Sequence, residues 1–463
     1  MIDEKIINVK KVLEITNGKL VYGEDSITCV TFSKDSRIVE PGDVYLGIKG
    51  ENFNGSAFYL DALEKGASVC ILQDVKPDLD KVKKFNKVAI IVVDDVVKAL
   101  QQIATYKRSL YSIPVVAITG SVGKTSTKDI TASVLGRKYK VLKTQGNLNN
   151  QIGLPLTILK LEDHEALVVE MGMGNLGEIS NLTKIAKPNV AVITNIGTSH
   201  IGNLGSRQNI LKAKLEILEG LQKDGVCIIN NDNDLLNEWN RKNTNYKVIT
   251  YGIDEKSDYN AINIKLDENS SEYDVEIDKK KYHIDIAVGG RHFIYNSLCA
   301  ICIGKFFSIP IEEIKEGIEK FELTKSRMEV HKKDDITIVN DCYNASYDSM
   351  KAAIEYLGAQ KNCRKIAVLG DMFELGVYSK ELHEKVAPCI IENKIDELIT
   401  VGEQAENIAK VAINLGMEKK NVNAYMSNSD AINKIKSIMK DNDVILIKAS
   451  NGMNFKQIVE AIL

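Results

Sequence analysis

Short apolar runs rich in Val, Ile and Ala alternate with helical patterns through the middle of the chain. The sequence predicts strands there at 115–119, 166–170, 190–194 and 226–230. Apolar runs of this length are typical of strands buried on both faces, and strands that alternate with helices form parallel sheets. The pattern therefore predicts an α/β fold with a doubly wound parallel sheet.

The flanking parts of the chain carry strand patterns of their own. A polar, strand-like stretch spans 246–288, and a helix is predicted at 295–307. At about 150 residues a domain, 463 residues suggest three domains, and we expect them at 1–110, 111–325 and 326–463. The other predicted strands are 27–32, 43–48 and 67–72 before the middle part, and 336–340, 365–369, 397–401 and 444–448 after it.

Composition excludes several classes of partner. The chain has 60 basic and 63 acidic side chains, and a net charge of −3 offers no basic field for nucleic acid. We find no apolar run long enough to span a membrane, and the first ten residues do not resemble a signal peptide. Eight cysteines without framework spacing favour a cytoplasmic location. Cys299 and Cys302, in an apolar helical stretch, are interpreted as buried packing residues.

A glycine turn follows the predicted strand at 115–119 and precedes a helix that starts at about Lys124. Its sequence, TGSVGKT over 119–125, is a shortened phosphate-binding loop. Glycines let backbone N–H groups surround a phosphate, the helix start adds its positive dipole end, and the Lys124 amine reaches the outer phosphates. The Thr125 hydroxyl suits Mg²⁺. The residues predicted to bind the nucleotide here are Gly120, Ser121, Val122, Gly123, Lys124, Thr125 and Ser126.

Polar residues at the carboxyl ends of the next strands extend this site, because ligands bind at that edge of a parallel sheet. Glu170 ends a strand and is predicted to hold Mg²⁺ or its water. His200 lies on a glycine-bearing loop and is predicted to be a ligand or polar site residue. Lys214 falls in an amphipathic helical pattern at 210–218, where composition alone favours a solvated charged face.

These segments, in this order, resemble the Mur ligase family of ATP-dependent amide ligases over nearly the whole chain. The resemblance implies three domains: a small α/β domain for a uridine nucleotide, a central ATPase domain with the phosphate loop, and a C-terminal Rossmann-like domain. The motifs that carry it are DSR at 35–37, GDVY at 42–45, KGENFNG at 49–55, TGSVGKT at 119–125, GNLNNQIGLP at 146–155, NIGTSH at 195–200, DCYNASYDSM at 341–350 and VLGDMFELG at 368–376.

The resemblance also implies roles for individual residues. Lys214 matches a lysine that is carbamylated and bridges Mg²⁺, with Thr125, Glu170 and His200 as further metal-site residues. Lys124, His200, Lys214 and Arg327 are the implied catalytic residues. Asn296 matches an asparagine that binds adenine, and Arg327 matches an arginine that contacts the phosphates. Asp341 matches an acidic residue that binds the ribose of ATP, and Tyr343 and Asn344 flank it. The implied substrate-binding residues are Ser36, Arg37, Asn149, Asn150 and Asp371.

The implied reaction uses ATP and Mg²⁺ to add D-alanyl-D-alanine to UDP-N-acetylmuramoyl tripeptide through an acyl phosphate, in a monomer. Three alternatives remain at this point: an NTPase switch or motor, a sister ligase with another amino substrate, and a catalytically dead paralogue. The shortened loop with Lys214 and His200 argues against the first. The Asn149–Asn150 and Asp341–Met350 runs argue against the second, and intact Lys124, Glu170 and Lys214 argue against the third.

Overall fold

The computed structural model describes residues 5–268 and 270–463. Its N-terminal part builds a five-stranded sheet in the order β2-β7-β6-β5-β4, with β2 antiparallel to β7, beside a small antiparallel pair, β1 and β3. The elements are β1 Ile7–Asn8, α1 Val9–Thr16, β2 Lys19–Tyr22, β3 Thr28–Cys29, β4 Phe32–Ser33, β5 Val44–Leu46, α2 Tyr59–Glu64, β6 Val69–Leu72, α3 Leu79–Val82, β7 Ala89–Val92 and α4 Val96–Ser109.

The middle part builds a nine-stranded sheet in the order β16-β15-β14-β13-β12-β11-β8-β10-β9. Strands β8 to β13 pair in parallel, and β14 to β16 extend the sheet as an antiparallel meander. The elements are β8 Val115–Thr119, α5 Lys124–Leu135, β9 Val141–Lys143, α6 Gly153–Leu159, β10 Ala166–Glu170, α7 Glu178–Ala186, β11 Val190–Ile193, α8 Ile201–Leu204, α9 Arg207–Leu215, β12 Val226–Asn230, α10 Asp234–Lys242, β13 Val248–Gly252, β14 Tyr259–Leu266, β15 Ser271–Ile277, β16 Lys280–Ile286, α11 Arg291–Phe306 and α12 Ile311–Glu319.

The C-terminal part builds a six-stranded sheet in the order β17-β18-β22-β19-β20-β21, parallel except for β17. Helices cover this sheet, as its apolar strands require. The elements are β17 Glu329–Lys333, β18 Ile336–Asn340, α13 Tyr347–Ala359, β19 Arg364–Gly370, α14 Ser379–Glu384, α15 Val386–Glu392, β20 Glu397–Val401, α16 Glu406–Asn414, β21 Val422–Tyr425, α17 Asn428–Ile438, β22 Asp443–Lys448 and α18 Lys456–Ile462.

The predicted α/β class with parallel, helix-covered sheets is confirmed. The prediction was wrong about the bounds of some elements. The predicted strand at 27–32 is two strands, β3 and β4, and α11 begins at Arg291 rather than at 295. Helix α9 ends at Leu215, and a 3₁₀ turn continues the predicted 210–218 helix. Cys299 and Cys302 are fully buried in α11, as interpreted from the sequence. No helix of the described residues is long and apolar enough to cross a bilayer.

Candidate active site

The phosphate loop connects the buried strand β8 to the start of α5, and its two glycines adopt backbone conformations with positive φ and approach neighbouring side chains closely. Gly120 has φ 153°, and a Cβ there would lie 1.8 Å from the Thr194 hydroxyl. Gly123 has φ 85°, and its Cβ would lie 3.2 Å from Asn296 Oδ1. The turn therefore brings the backbone close to β11 and α11, and α5 starts at Lys124 as predicted.

The segment that follows β11 holds the phosphate loop in place through hydrogen bonds. Asn195 Oδ1 accepts hydrogen bonds from the backbone N–H groups of Ser121 (3.1 Å) and Val122 (2.9 Å). The Lys124 amine turns back and donates to the Gly120 carbonyl at 2.7 Å. Burial lowers the pKa of Lys124; nearby Glu170 opposes this shift and Arg327 adds to it.

A buried carboxylate faces the first turn of α5. Glu170 Oε2 accepts a hydrogen bond from the Thr125 hydroxyl at 3.0 Å, and Oε1 accepts one from the Asn149 amide at 2.9 Å. The Glu170 backbone N–H donates to the Thr144 hydroxyl. Thr125 and Glu170, predicted for the metal site, thus form one hydrogen-bonded group with Asn149, which was predicted to bind substrate. The group fixes both carboxylate oxygens.

Arg327 brings a cation from the C-terminal side to the same group. Its Nη2 donates to the Thr125 hydroxyl at 3.2 Å, and its guanidinium lies 4.0 Å from the centre of the Tyr343 ring. Stacking of this kind holds a guanidinium in place through cation–π attraction. Arg327 Nε is buried without a hydrogen-bond partner among the described residues. An anion at the phosphate loop would supply one.

Lys214 lies in the core rather than on a solvated face. The residue is 2% exposed, and burial together with nearby Lys124 pushes the pKa of its amine well below the ordinary value. A buried amine without a carboxylate partner favours its neutral form. The composition-based interpretation of a charged surface helix is therefore wrong at this position, while neighbouring Lys212 is exposed.

His200 lies where the middle and C-terminal parts meet. It has φ 63° and precedes α8, and its Nδ1 lies 2.5 Å from Glu374 Oε2. The histidine holds the pKa of Glu374 below its ordinary value. Its contact is thus with a carboxylate across the two parts, and its role at a metal stays a prediction.

A cavity runs from the phosphate loop to α11. Asn296 accepts a hydrogen bond from the Thr127 hydroxyl at 3.0 Å, and its Nδ2 is buried without a partner among the described residues. That donor suits a ring nitrogen of a purine. Burial lowers the pKa of His292 to about 4. Further lining residues include Tyr251, Tyr295, Asn230, Asp341, Ser349 and Lys448.

Asp341 closes the C-terminal side of this cavity. Its Oδ2 accepts a hydrogen bond from Lys448 Nζ at 2.5 Å, and its Oδ1 accepts one from the Met328 N–H at 3.2 Å. Lys448 also donates to the Asn344 carbonyl at 2.9 Å and is 2% exposed. Lys448 was not predicted as a site residue, although it ends a predicted strand just as Glu170 does.

Several predicted substrate residues lie apart from this group. Arg37 is exposed and pairs with Asp35 at 2.7 Å, next to Ser36. Asn150 Oδ1 accepts the Gly153 N–H at the start of α6, and Asp371 Oδ1 accepts the Ala405 N–H at the start of α16. These contacts hold local structure, and the substrate roles of these residues stay predictions.

Comparisons with known proteins give the site a family context. Three models match the chain: the Mur ligase family catalytic domain at residues 30–108, the Mur ligase middle domain at 118–304, and the Mur ligase glutamate ligase domain at 326–451. These three segments cover most of the chain and include the phosphate loop, Asn296 and Arg327.

Several relatives that align over nearly the full chain share one name. The UDP-N-acetylmuramoyl-tripeptide–D-alanyl-D-alanine ligase of Bacillus subtilis is 37% identical over 98% of both chains. A crystal structure of MurF from Acinetobacter baumannii matches with a TM-score of 0.89, 29% identity and 98% coverage of both chains. The MurF ligase from Thermotoga maritima in complex with ADP matches with a TM-score of 0.81 and 28% identity, covering 93% of this chain and 96% of that one.

Proposed function

The chain belongs to the Mur ligase family, and from this premise we propose that it joins D-alanyl-D-alanine to UDP-N-acetylmuramoyl tripeptide with the energy of ATP. The product would be the UDP-linked pentapeptide used in peptidoglycan synthesis. Relatives that carry this name align over almost the full length of both chains, which supports the proposal.

The single observation that carries the proposal is the meeting of Arg327 with Thr125. One residue follows the last helix of the middle part and the other opens α5, yet Nη2 and Oγ1 are 3.2 Å apart. A triphosphate on the loop would therefore meet cations from two parts of the chain, Lys124 and Arg327. Such an arrangement spreads the charge that develops on a transferred phosphoryl group.

The proposed chemistry forms two bonds in sequence. The terminal carboxylate of the tripeptide attacks the γ-phosphorus of ATP, the bond to the bridging oxygen breaks, and ADP leaves. The amine of D-alanyl-D-alanine then attacks the carbonyl carbon of the acyl phosphate, loses a proton, and phosphate departs. Positioning and electrostatic stabilisation supply the catalysis, so no side-chain nucleophile is required.

Mg²⁺ fits the oxygens beside the loop. Glu170 and Thr125 offer a carboxylate and a hydroxyl 3.0 Å apart, and hard cations prefer such ligands. We propose that these two residues hold the ion. When bound, it would offset the negative charge of the triphosphate.

Lys214 fits the same site only after modification. A neutral amine reacts with CO₂ to give a carbamate, which is an oxygen ligand, and burial of Lys214 favours that neutral amine. We propose that carbamylated Lys214 completes the metal site with Glu170, and that His200 contributes as the family resemblance implies.

The remaining assignments of the proposal concern the substrates and the location. Asn296 and Asp341 would hold the adenosine, Ser36 and Arg37 the uridine nucleotide, and Asn149, Asn150 and Asp371 the peptide substrates. We propose that the enzyme works in the cytoplasm, because its substrates are a nucleotide-linked sugar peptide and ATP, and that it works as a monomer.

A phosphate-release assay tests the proposal. The enzyme is supplied with ATP, Mg²⁺ and UDP-N-acetylmuramoyl tripeptide, and a panel of dipeptides and single amino acids is added one at a time. The proposal expects release that depends on both peptide substrates and is fastest with D-alanyl-D-alanine. Release without an amino acceptor would favour an NTPase switch, and a preference for another acceptor would favour a sister ligase.

A further inference from the structure

Asp348 connects the C-terminal part of the chain to the middle part. It lies in the first turn of α13, and its Oδ2 accepts hydrogen bonds from the Thr198 N–H at 2.9 Å and the Thr198 hydroxyl at 3.1 Å. Thr198 belongs to the segment 195–200, which follows β11. One carboxylate oxygen therefore binds both donors of a single residue in another sheet domain.

The segment that Asp348 binds is also the support of the phosphate loop. Besides the two bonds from the loop to Asn195, the Gly197 N–H donates to the Ser121 hydroxyl at 2.9 Å. The Ser199 hydroxyl donates to the Ser121 carbonyl at 3.2 Å. Residues on either side of Thr198 thus hold the loop, while Thr198 itself holds α13.

The helix that carries Asp348 forms a wall of the nucleotide cavity. Ser349, Ala352 and Ala353 follow Asp348 on α13 and line the cavity opposite Asn296. The position of this helix sets the width of the cavity. The contact of Asp348 with Thr198 therefore fixes the wall relative to the loop.

Gly197 makes the close approach possible. A Cβ on Gly197 would lie 2.2 Å from Asp348 Oδ2, which is far inside van der Waals contact. A side chain at this position would displace the Asp348 carboxylate from Thr198, and its Cβ would also lie 3.2 Å from Ser121 Cβ.

A second contact region lies on α8, so the two parts do not depend on Asp348 alone. The Gly202 N–H donates to the Glu374 carbonyl at 3.1 Å, and the Tyr378 hydroxyl donates to the Gly205 carbonyl at 2.7 Å. Loss of Asp348 would therefore tilt the C-terminal part rather than release it.

We propose that Asp348 is a positioning residue that docks α13 onto the 195–200 segment and thereby sets the nucleotide cavity and the reach of Arg327. Only its effect on ligation rests on the proposed function. Its effect on nucleotide binding does not depend on that function, so an experiment can contradict the role of Asp348 without contradicting the ligase activity, and the reverse.

The first test replaces Asp348 with alanine and uses Glu355→Ala as the matched control. Both changes remove one carboxylate from α13, but Glu355 pairs with Lys351 on the same helix, at 3.9 Å. Asp348→Ala is expected to weaken ADP binding in calorimetry about tenfold, the scale of lost hydrogen bonds to a charged group, and to lower kcat for ligation. The control is expected to match the wild type. Equal ADP affinity in both variants, at similar melting temperatures, would overturn the proposal.

The second test places Gly197→Ala in the wild-type and Asp348→Ala backgrounds. The added methyl collides with the carboxylate only when Asp348 is present, so ADP affinity should fall much further in the wild-type background. Equal losses in the two backgrounds would contradict docking through this contact. If Gly197→Ala does not fold, Thr198→Val replaces it. That change removes one hydrogen bond, and its effect on ADP affinity should vanish once Asp348 is alanine.

Discussion

At the scale of single residues, a buried lysine near the phosphate loop distinguishes this site from a simple nucleotide pocket. A surface lysine stays protonated at neutral pH, whereas burial and nearby Lys124 lower the pKa of Lys214 well below the ordinary value of a lysine. The folded chain therefore buries this amine near Lys124, at the start of α5. A carbamate on that amine would supply an oxygen ligand for the metal.

Lys214→Ala and Lys212→Ala form a matched pair on α9, because the first lysine is buried and the second is exposed. We expect Lys214→Ala to lose ligation by at least about 100-fold, since the proposed metal ligand is removed. Lys212→Ala should change stability by less than about 0.5 kcal/mol and leave the rate intact. Steady-state rates with both peptide substrates measure the difference.

Added short carboxylic acids provide the control for the carbamate. Acetate at high concentration should restore part of the activity of Lys214→Ala by supplying the missing oxygen ligand. Ligation by Lys214→Ala at the wild-type rate would rule out the metal role.

His292 makes the stability of the protein depend on pH. Its pKa falls from 6.5 to about 4 on folding, so between these values the unfolded chain binds a proton that the folded chain does not. Stability therefore decreases as the pH falls through this window, by up to about 3 kcal/mol at about 1.4 kcal/mol for each pKa unit. Urea unfolding of the wild type and of His292→Gln, from pH 7 to pH 4, measures this change in the free energy of unfolding. The difference between the two proteins should shrink or reverse toward pH 4, and a constant difference would contradict the buried neutral histidine.

The residue-level site was partly readable from the sequence. Lys124, Thr125 and Glu170 follow predicted strands or open a helix, so local pattern and sheet geometry place them together. The ion pair of Lys448 with Asp341 joins residues 107 positions apart, and no local sequence pattern predicts such a pairing. The same holds for His200 and Glu374.

At the scale of elements, the turn between β8 and α5 determines how closely a phosphate can approach. Strands β8, β10 and β12 have the bounds that the sequence predicts, because fully buried apolar runs leave little freedom in where a strand ends. Strands β3 and β4 hold two residues each, and such short elements depend on tertiary pairing more than on pattern. The start of α11 was misplaced because Arg291 and His292 interrupt the apolar pattern.

Gly123→Ala and Gly177→Ala compare two glycines that precede helices with nearly the same φ, 85° and 87°. Both changes should lower stability by about 1–2 kcal/mol, the cost of a left-handed backbone in a residue with a Cβ. Only the Cβ at 123 meets another group, Asn296 Oδ1 at 3.2 Å, while nothing lies within 4 Å at 177. ADP titration should therefore show weaker binding in Gly123→Ala alone. Similar ADP affinities in the two variants would mean that the phosphates of ADP do not bind at the loop around Gly123.

At the scale of the whole molecule, the nucleotide cavity exists only because two sheet domains face each other across it. The loop, Glu170 and Asn296 come from the middle part, and Arg327, Asp341 and Ser349 come from beyond it. A ligase benefits from such a division, because closure can exclude water from a reactive acyl phosphate. The sequence indicated the separate sheets, but their relative placement depends on contacts such as Asp348 with Thr198.

Oxygen-isotope transfer tests the ligase chemistry most directly. UDP-N-acetylmuramoyl tripeptide labelled with ¹⁸O in its terminal carboxylate is incubated with ATP, Mg²⁺, D-alanyl-D-alanine and the enzyme, with Lys124→Ala as the inactive control. Mass spectrometry of the released phosphate should find one ¹⁸O atom for each pentapeptide formed, because a carboxylate oxygen leaves with the phosphoryl group. Unlabelled phosphate, with both labelled oxygens retained on the tripeptide, would mean that ATP is hydrolysed by water and that no acyl phosphate forms.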